Sequence, residues 1–310
     1  MNVSLKDLAP VLACWVGKER NIISTFFYRK APMKWTLKRY KKMYGIKLDL
    51  ENPKTFYEKM NYWKHNYYNE KQTTLADKLE VKKVLENHGF INLCPKTLFY
   101  SKNIKDIKNW FYKNKDKYNQ FVFKTNHSCG DVYIYNRGVI TKKYGRIIKN
   151  INTVFKCLKI GLNYNHYYSC FERPYKDIEP YIFIEEYIEF DNETSEYELM
   201  FNYGKLIVSK IVKERQNPEK HSEALIDNDF VIISKEIGFE NIEKIEKPLY
   251  FDQMIEISKT IISEFPYCRC DFIVSKGKLY FCEFTFVKSG GIGIYKPFEL
   301  EKKLGDMFLL

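Results

Sequence analysis

The only apolar run near the N-terminus, Leu8 to Val16, is too short to cross a bilayer, which takes roughly 20 residues. Val11-Leu12-Ala13-Cys14 has the outline of a lipoprotein cleavage site. Asp7 in the basic stretch and the very short apolar core argue against a signal peptide, so no export is expected. The segment remains a candidate for peripheral contact with a membrane. No CxxC pair is matched by a second one among the eight cysteines at 14, 94, 129, 157, 170, 268, 270 and 282, which argues against a zinc site. Repeats and low-complexity tracts are missing. Clustered arginines with aromatics on one strand pattern are missing too, so no nucleic-acid partner is expected despite the basic balance. Asp227-Asn228-Asp229 reads as a loop rather than the DxD motif of a nucleotide-sugar enzyme.

At 310 residues the chain can bury a sizeable core, and two lobes are expected. Its 45% hydrophobic and 29% charged residues describe a globular protein. The net charge of +12, from 51 Lys+Arg against 39 Asp+Glu, points to an anionic partner. Abundant Lys, Asn, Ile and Tyr also fit an AT-rich genome, so neither the charge nor the 25 tyrosines is taken as a functional sign. Scattered free thiols favour a reducing, cytoplasmic setting.

Residues 1–45 are basic and mixed, and helix is expected there, with Lys38 to Lys42 on a solvated face. Asn52-Pro53-Lys54-Thr55 starts a helix at Phe56, where Glu58 and Lys59 read as cap residues rather than substrate contacts. Asp77 caps a helix carrying Leu79, Val81, Val84 and Leu85 and ending at Gly89. Strands are expected at Pro95 to Tyr100, Phe121 to Thr125, Val132 to Tyr135 and Tyr181 to Ile188. A hairpin folds around Asn202-Tyr203-Gly204, and Met254 to Phe265 is an amphipathic helix. Strands and helices mix without regular alternation, which favours α+β over a doubly wound fold.

The densest chemistry lies in Cys268-Arg269-Cys270-Asp271-Phe272-Ile273-Val274 and Leu279-Tyr280-Phe281-Cys282-Glu283-Phe284-Thr285. Each run carries a carboxylate inside an apolar strand, costly to bury unless a cation meets it. Alternation puts Arg269 and Asp271 on one face, and Glu283 and Thr285 on one face of the partner strand. A two-residue turn at Lys276-Gly277 would send the two carboxylates to opposite faces. A three-residue loop with Gly277 left-handed keeps them together, and that reading is adopted. Two carboxylates, an arginine and a hydroxyl then converge, which suits Mg²⁺ and a phosphate. Cys268, Cys270 and Cys282 are expected to face the core.

In order along the chain, Asn52-Pro53-Lys54-Thr55-Phe56-Tyr57-Glu58-Lys59, Asp77-Lys78, Lys124-x-Asn126-His127, Glu172-Arg173-x-Tyr175, Glu185-Glu186 and Arg269-x-Asp271…Glu283-Phe284-Thr285-Phe286 form one set. That set resembles the ATP-grasp enzymes, and closely the TupA-like ATP-grasp family of surface-polysaccharide gene clusters, named after a teichuronopeptide biosynthesis protein. The resemblance covers nearly the whole chain. It implies a fold of two α+β lobes with ATP held between antiparallel sheets. The expected parts are a mainly helical N-terminal region (1–76), a lid (77–188) and a catalytic unit with the hairpin (189–310).

The resemblance also implies roles. Lys78 and Lys124 would hold the α- and β-phosphates of ATP. The Asn126–Gly130 turn, with Ser128, would cover the γ-phosphate through its backbone N–H groups. Glu185 would accept from the adenine amino group, and backbone at Glu186 and Ile188 would read the ring edge. Asp271 and Glu283 would hold Mg²⁺, with Thr285 where many ATP-grasp enzymes place a metal-binding asparagine. Arg269 would stabilise charge on the transferred phosphoryl group. Ser289-Gly290-Gly291 resembles the anion-binding turn that follows. Lys213 and Arg215 are further phosphate or substrate candidates, and His127, beside the phosphate loop, is a candidate for orienting substrate. Glu172 and Arg173 read equally as an ion pair or as the acceptor-site lining.

The activity implied is a carboxylate–amine ligase working through an acyl phosphate. Its acid would be a uronic acid or acidic glycan residue of a surface polysaccharide, beside other enzymes of that biosynthesis. A kinase of the same fold and a polysaccharide glycosyltransferase are the alternatives.

Overall fold

The computed structural model describes residues 11, 12, 14, 16, 18, 23–142, 145–215, 217, 219–237 and 244–310. Most of the apolar N-terminal run lies outside these residues. No helix among them is long and apolar enough to cross a membrane.

Helix α1 (Pro32–Tyr44) starts on a proline in its first turn, where the missing N–H costs nothing, and ends at left-handed Gly45. Helix α2 (Phe56–Asn66) opens with a capping box. The Thr55 side chain accepts from the Glu58 N–H, and Glu58 reaches back to the Thr55 N–H. That settles the role of Glu58, while Lys59 donates to the Gly305 carbonyl at 2.8 Å. Helix α3 (Glu70–Ala76) leads to Asp77, whose Oδ1 accepts from the backbone of Leu79 and Glu80 as helix α4 (Glu80–Asn87) begins.

The first sheet has five antiparallel strands in the order β1-β5-β2-β3-β4. They are β1 (Thr97–Ser101), β2 (Gln120–Thr125), β3 (Val132–Asn136), β4 (Val139–Lys142) and β5 (Ile182–Glu186). Helices α5 (Ile104–Tyr118) and α6 (Ile151–Leu162) cover one face, and neither is anticipated from the sequence. Alternation along β2 sorts its residues. Phe121 and Phe123 are fully buried with Phe111 and Phe155, whereas Val122 and Lys124 turn to the other face.

The second sheet has six strands, ordered β11-β10-β6-β7-β8-β9. These are β6 (Ser195–Asn202), β7 (Lys205–Lys213), β8 (Ser222–Ile226), β9 (Ile232–Ile237), β10 (Cys268–Ser275) and β11 (Lys278–Thr285). Tyr203 and Gly204 both have positive φ, and with Asn202 paired to Lys205 they close the expected β6–β7 hairpin in a two-residue turn. Helix α7 (Tyr167–Cys170) precedes the segment Glu172–Tyr175; α8 (Phe251–Ile262) and α9 (Phe298–Met307) pack on the second sheet's side.

Two hydrophobic cores follow. One joins the first sheet to α5 and α6. The larger joins the second sheet to α2, α4, α8 and α9. Val81 and Leu85, expected in the lid, lie in this larger core, so residue 77 is not where the packing divides.

Candidate active site

The β10–β11 hairpin corrects its own expected loop. Ser275 pairs with Lys278, and Lys276 and Gly277 both have positive φ, so the turn has two residues. Such a turn alone would separate the carboxylates. A bulge reunites them: Phe272 pairs with Phe281, but Asp271 pairs with Glu283, leaving Cys282 extra. The added residue flips the strand's phase and returns Glu283 to the face of Asp271. Cys282 is displaced in the process. Cys268 and Cys270 are fully buried in the core, while Cys282 is half-buried in the cleft between the sheets, contrary to the expected placement.

On that face Arg269 donates from Nε and Nη2 to the two oxygens of Asp271, each at 2.6 Å. Its Nη2 also lies 3.3 Å from the Thr285 hydroxyl and 3.7 Å from Glu283, and its Nη1 lies 3.6 Å from Glu198. Strand β6 supplies two acids the sequence reading passed over. Glu198 sits opposite Asp271 and Glu196 opposite Ile273. Arg215 bridges them, 2.9 Å from Glu196 and 3.1 Å from Glu198. Burial raises Asp271 to about 7, with the Glu198 and Glu283 carboxylates adding to it against the pull of Arg269. Burial acts on Glu198 too, but Arg269, Lys288, Lys210 and Arg215 outweigh it and hold that carboxyl at about 2.

The first sheet forms the opposite wall. Val122, Val132 and Ile134 face inward beside Lys124. Lys124 is ion-paired with Glu185. Lys82, also missing from the expectations, donates to the other Glu185 oxygen at 2.9 Å, to Thr97 at 2.9 Å and to the Pro95 carbonyl at 2.6 Å. Against full burial, the two lysines keep the Glu185 carboxyl below its ordinary value. Lys78 joins the walls, 3.2 Å from Glu283 and donating to the Ser128 carbonyl at 3.1 Å. Glu186 and Ile188 line the cleft where the chain leaves β5, and the Glu186 N–H already donates to the Lys96 carbonyl at 3.0 Å.

Several expected contacts are directed elsewhere. Asn126 is fully buried; its amide donates to Asp77 and the Glu179 carbonyl at 2.9 Å each and accepts from the Tyr181 N–H at 2.7 Å. His127 is buried with one ring nitrogen 3.1 Å from the carbonyls of Gly161 and Tyr164, and burial lowers it to about 4. Its ring is thus engaged with the protein's own backbone and holds the turn. The Ser128 hydroxyl donates to Asp131 at 2.9 Å. These three anchor the turn, because buried polar groups need partners, and leave Cys129 and Gly130 (φ 85°) at its exposed tip. Thr285 is turned to Arg269 and does not line the cleft, and exposed Lys213 does not line it either.

Beyond the hairpin, Ser289, Gly290 and Gly291 run through left-handed conformations with φ of 52°, 64° and 79°. Buried Lys64 donates to the Gly290 carbonyl and Asn61 to that of Gly291, both at 2.8 Å. Arg173 pairs with Asp177, not with Glu172. For a divalent cation, the donor set of the hairpin fits in kind. Asp271 and Glu283 are hard oxygen donors facing one another. Among the described residues no three acidic, cysteine or histidine groups form a metal cluster, so a cation here needs ligands from a bound substrate as well.

Among curated proteins no sequence matches this chain. Solved structures similar to it include D-alanine–D-alanine ligase of Bacillus anthracis complexed with ATP, at 17% identity and a TM-score of 0.42, covering 76% of this chain and 65% of that one. A RiPP-associated ATP-grasp ligase of Chryseobacterium gregarium, in complex with ADP and a leader and core peptide, gives 14%, 0.42, 80% and 65%. The ATP-grasp ligase PsnB with Mg, ADP and a precursor variant gives 10%, 0.40, 77% and 59%. The chain thus spans about three fifths to two thirds of the length of these structures. A family model described as TupA-like ATPgrasp matches residues 58–309, a span holding every charged group of the cleft, and the chain belongs to that TupA-like ATP-grasp family.

Proposed function

We propose that this chain is an ATP-dependent ligase that activates a carboxylate as an acyl phosphate and joins it to an amine. The observation that carries this reading is the pairing of Asp271 with Glu283 beside Arg269, opposite Lys78 and Lys124 across one cleft. A triphosphate entering there meets two lysines held by internal carboxylates, Lys78 by Glu283 and Lys124 by Glu185, and takes them over as point charges. The base stacks on Val122, Val132 and Ile134, with its edge at Ile188, since the Glu186 N–H is engaged.

Asp271 and Glu283 are the residues to hold Mg²⁺, which when bound supplies the positive charge that phosphoryl transfer relies on. Arg269 sits beside them, ready to stabilise charge on the transferred group. The substrate carboxylate attacks the γ-phosphorus and ADP leaves. The amine then attacks the acyl carbon and phosphate departs. Closure of the two walls over the cleft excludes water from the acyl phosphate.

The acid is a uronic acid or an acidic residue of a surface glycan, and the setting is the cytoplasm. The chain's net charge of +12 is compatible with an acidic glycan partner. The test is ADP and phosphate release from Mg²⁺-ATP across uronic acids and nucleotide-uronates, each with and without a pool of amines. Turnover that needs both, with an amide seen by mass spectrometry, supports the ligase. Turnover with acid alone and no hydroxamate in hydroxylamine overturns it in favour of a kinase.

A further inference from the structure

Glu172 stands out among the buried acids. Its residue is 6% exposed, yet among the described residues no hydrogen-bond donor reaches its carboxylate. The His166 ring comes closest among the described basic side chains, with Nε2 at 3.8 Å from Oε1, beyond hydrogen-bond distance. Asp77, Asp131 and Glu185 all have close donors. A carboxylate left this way is costly unless something else completes it.

Its surroundings say where the missing partner would come from. A Cβ built on Gly290 would lie 3.4 Å from Glu172 Oε1, so the backbone of the left-handed turn passes against the carboxylate. Cys129, at the exposed tip of the other turn, has its sulfur 3.7 Å from His166 Nε2. The edge of His166 meets the Tyr175 ring at 4.9 Å. Tyr175 feels both Glu172 and Glu283, and Glu172 feels Arg269, so this cluster and the hairpin share one electrostatic region. Glu172 thus lies where the two turns converge, outside the apolar wall that suits a base.

We infer that Glu172, backed by His166, is the acceptor subsite, holding the substrate's protonated amine and taking its proton. The inference rests on the ligase reading above and deepens it: the acceptor is a basic primary amine that arrives as a cation. Three N–H donors of an ammonium group match a carboxylate that has none. Burial raises the Glu172 carboxyl to about 7, so it can accept a proton near neutrality and pass it on. Burial lowers His166, so its ring stands beside the carboxylate as a neutral neighbour. In balance, the ammonium gives one proton to the Glu172 carboxylate. The freed nitrogen lone pair forms the C–N bond, and the C–O bond to phosphate breaks with its electron pair going to phosphate. The second nitrogen proton leaves with the phosphate.

The experiment compares wild type, Glu172→Gln and His166→Asn with Mg²⁺-ATP and the acid that supports turnover in the panel, using two nucleophiles. One is ethanolamine, a charged amine; the other is hydroxylamine, which is uncharged at neutral pH. Glu172→Gln should lower kcat/KM for ethanolamine about 10²–10⁴-fold while hydroxamate formation stays within a few-fold of wild type. His166→Asn should show the same split to a smaller degree, and it serves if the first variant fails to fold. Equal loss with both nucleophiles, or no loss with either, overturns the acceptor assignment and leaves the ligase standing. Absence of amine-dependent turnover in wild type overturns the ligase reading and this inference with it.

Discussion

Asp271 and Glu283 face each other across the β10–β11 ladder because Cys282, between them and the turn, has no partner. The two-residue turn and the bulge are each an odd step in phase, and together they cancel. Deleting Cys282 should therefore abolish ATP-dependent turnover without removing a charge, by sending Glu283 to the opposite face. ADP release read beside a circular dichroism melt checks this, and retained activity in a folded deletion variant would show that the bulge is immaterial.

The pair itself predicts more. Asp271→Asn and Glu283→Gln should each lower turnover at least about 10²-fold while leaving the fold intact, since both are isosteric. Wild-type rates in both would remove the metal-binding assignment.

Glu185 is met by two lysines, and they should separate in their effects. Lys82→Met should cost stability, as that lysine also donates to Thr97 and Pro95, and leave the KM for ATP near wild type. Lys124→Met should raise that KM and cost less stability. The double variant strands a buried carboxylate and should lose about 3–5 kcal/mol relative to wild type. Chemical denaturation and ATP titration of the three proteins distinguish these outcomes.

His127 predicts a pH dependence. Its folded value is lowered from 6.5 to about 4, so the folded protein holds it neutral. Between those values the unfolded chain binds a proton that the folded chain refuses, and stability falls as pH falls. Glu185, with its carboxyl held low, loses its contribution further down as it becomes protonated. His127→Gln should flatten the Tm profile between pH 6.5 and 4 in part, since His65 is also buried and neutral. An unchanged slope would contradict the burial argument.

Gly291 adopts φ 79°, and a Cβ there would meet Asn61 Oδ1 at 2.3 Å. Gly291→Ala should displace the turn and lower turnover more than it lowers Tm. Turnover at wild-type level would mean that the turn takes no part in the reaction.

Much of this site is legible in the residues because its chemistry sits on regular strands. Arg269, Asp271 and Glu283 announce themselves by period-two alternation, and Thr55 with Glu58 by cap spacing. What escaped depends on partners far away in sequence. Glu196 and Glu198 alternate as plainly as Arg269 and Asp271, but only the pairing of β6 with β10 turns them into the cleft. Lys82 lies on a short helix whose relation to Glu185 is tertiary. Asn126 and His127 sit in a polar turn that suits phosphate, yet Asp77, Glu179, Tyr181 and Gly161 draw their side chains inward. A bulge leaves no local mark, so the correct facing of the carboxylates comes with the wrong loop.

The Tyr167–Glu172 segment is propped from the start of the chain. The Thr25 hydroxyl donates to the Tyr168 carbonyl at 2.8 Å, Arg29 stacks over the Tyr168 ring at 4.3 Å, and Trp35 meets Phe171 edge-on at 5.6 Å. All three props precede residue 58, where the family match begins. If the cleft handles nucleotide and Glu172 the acceptor, as proposed above, the two halves of the reaction hang from different scaffolds: the one from the sheets, the other from an N-terminal bracket. On that proposal, slackening the bracket would detune which amine is accepted and leave the grip on ATP as it was.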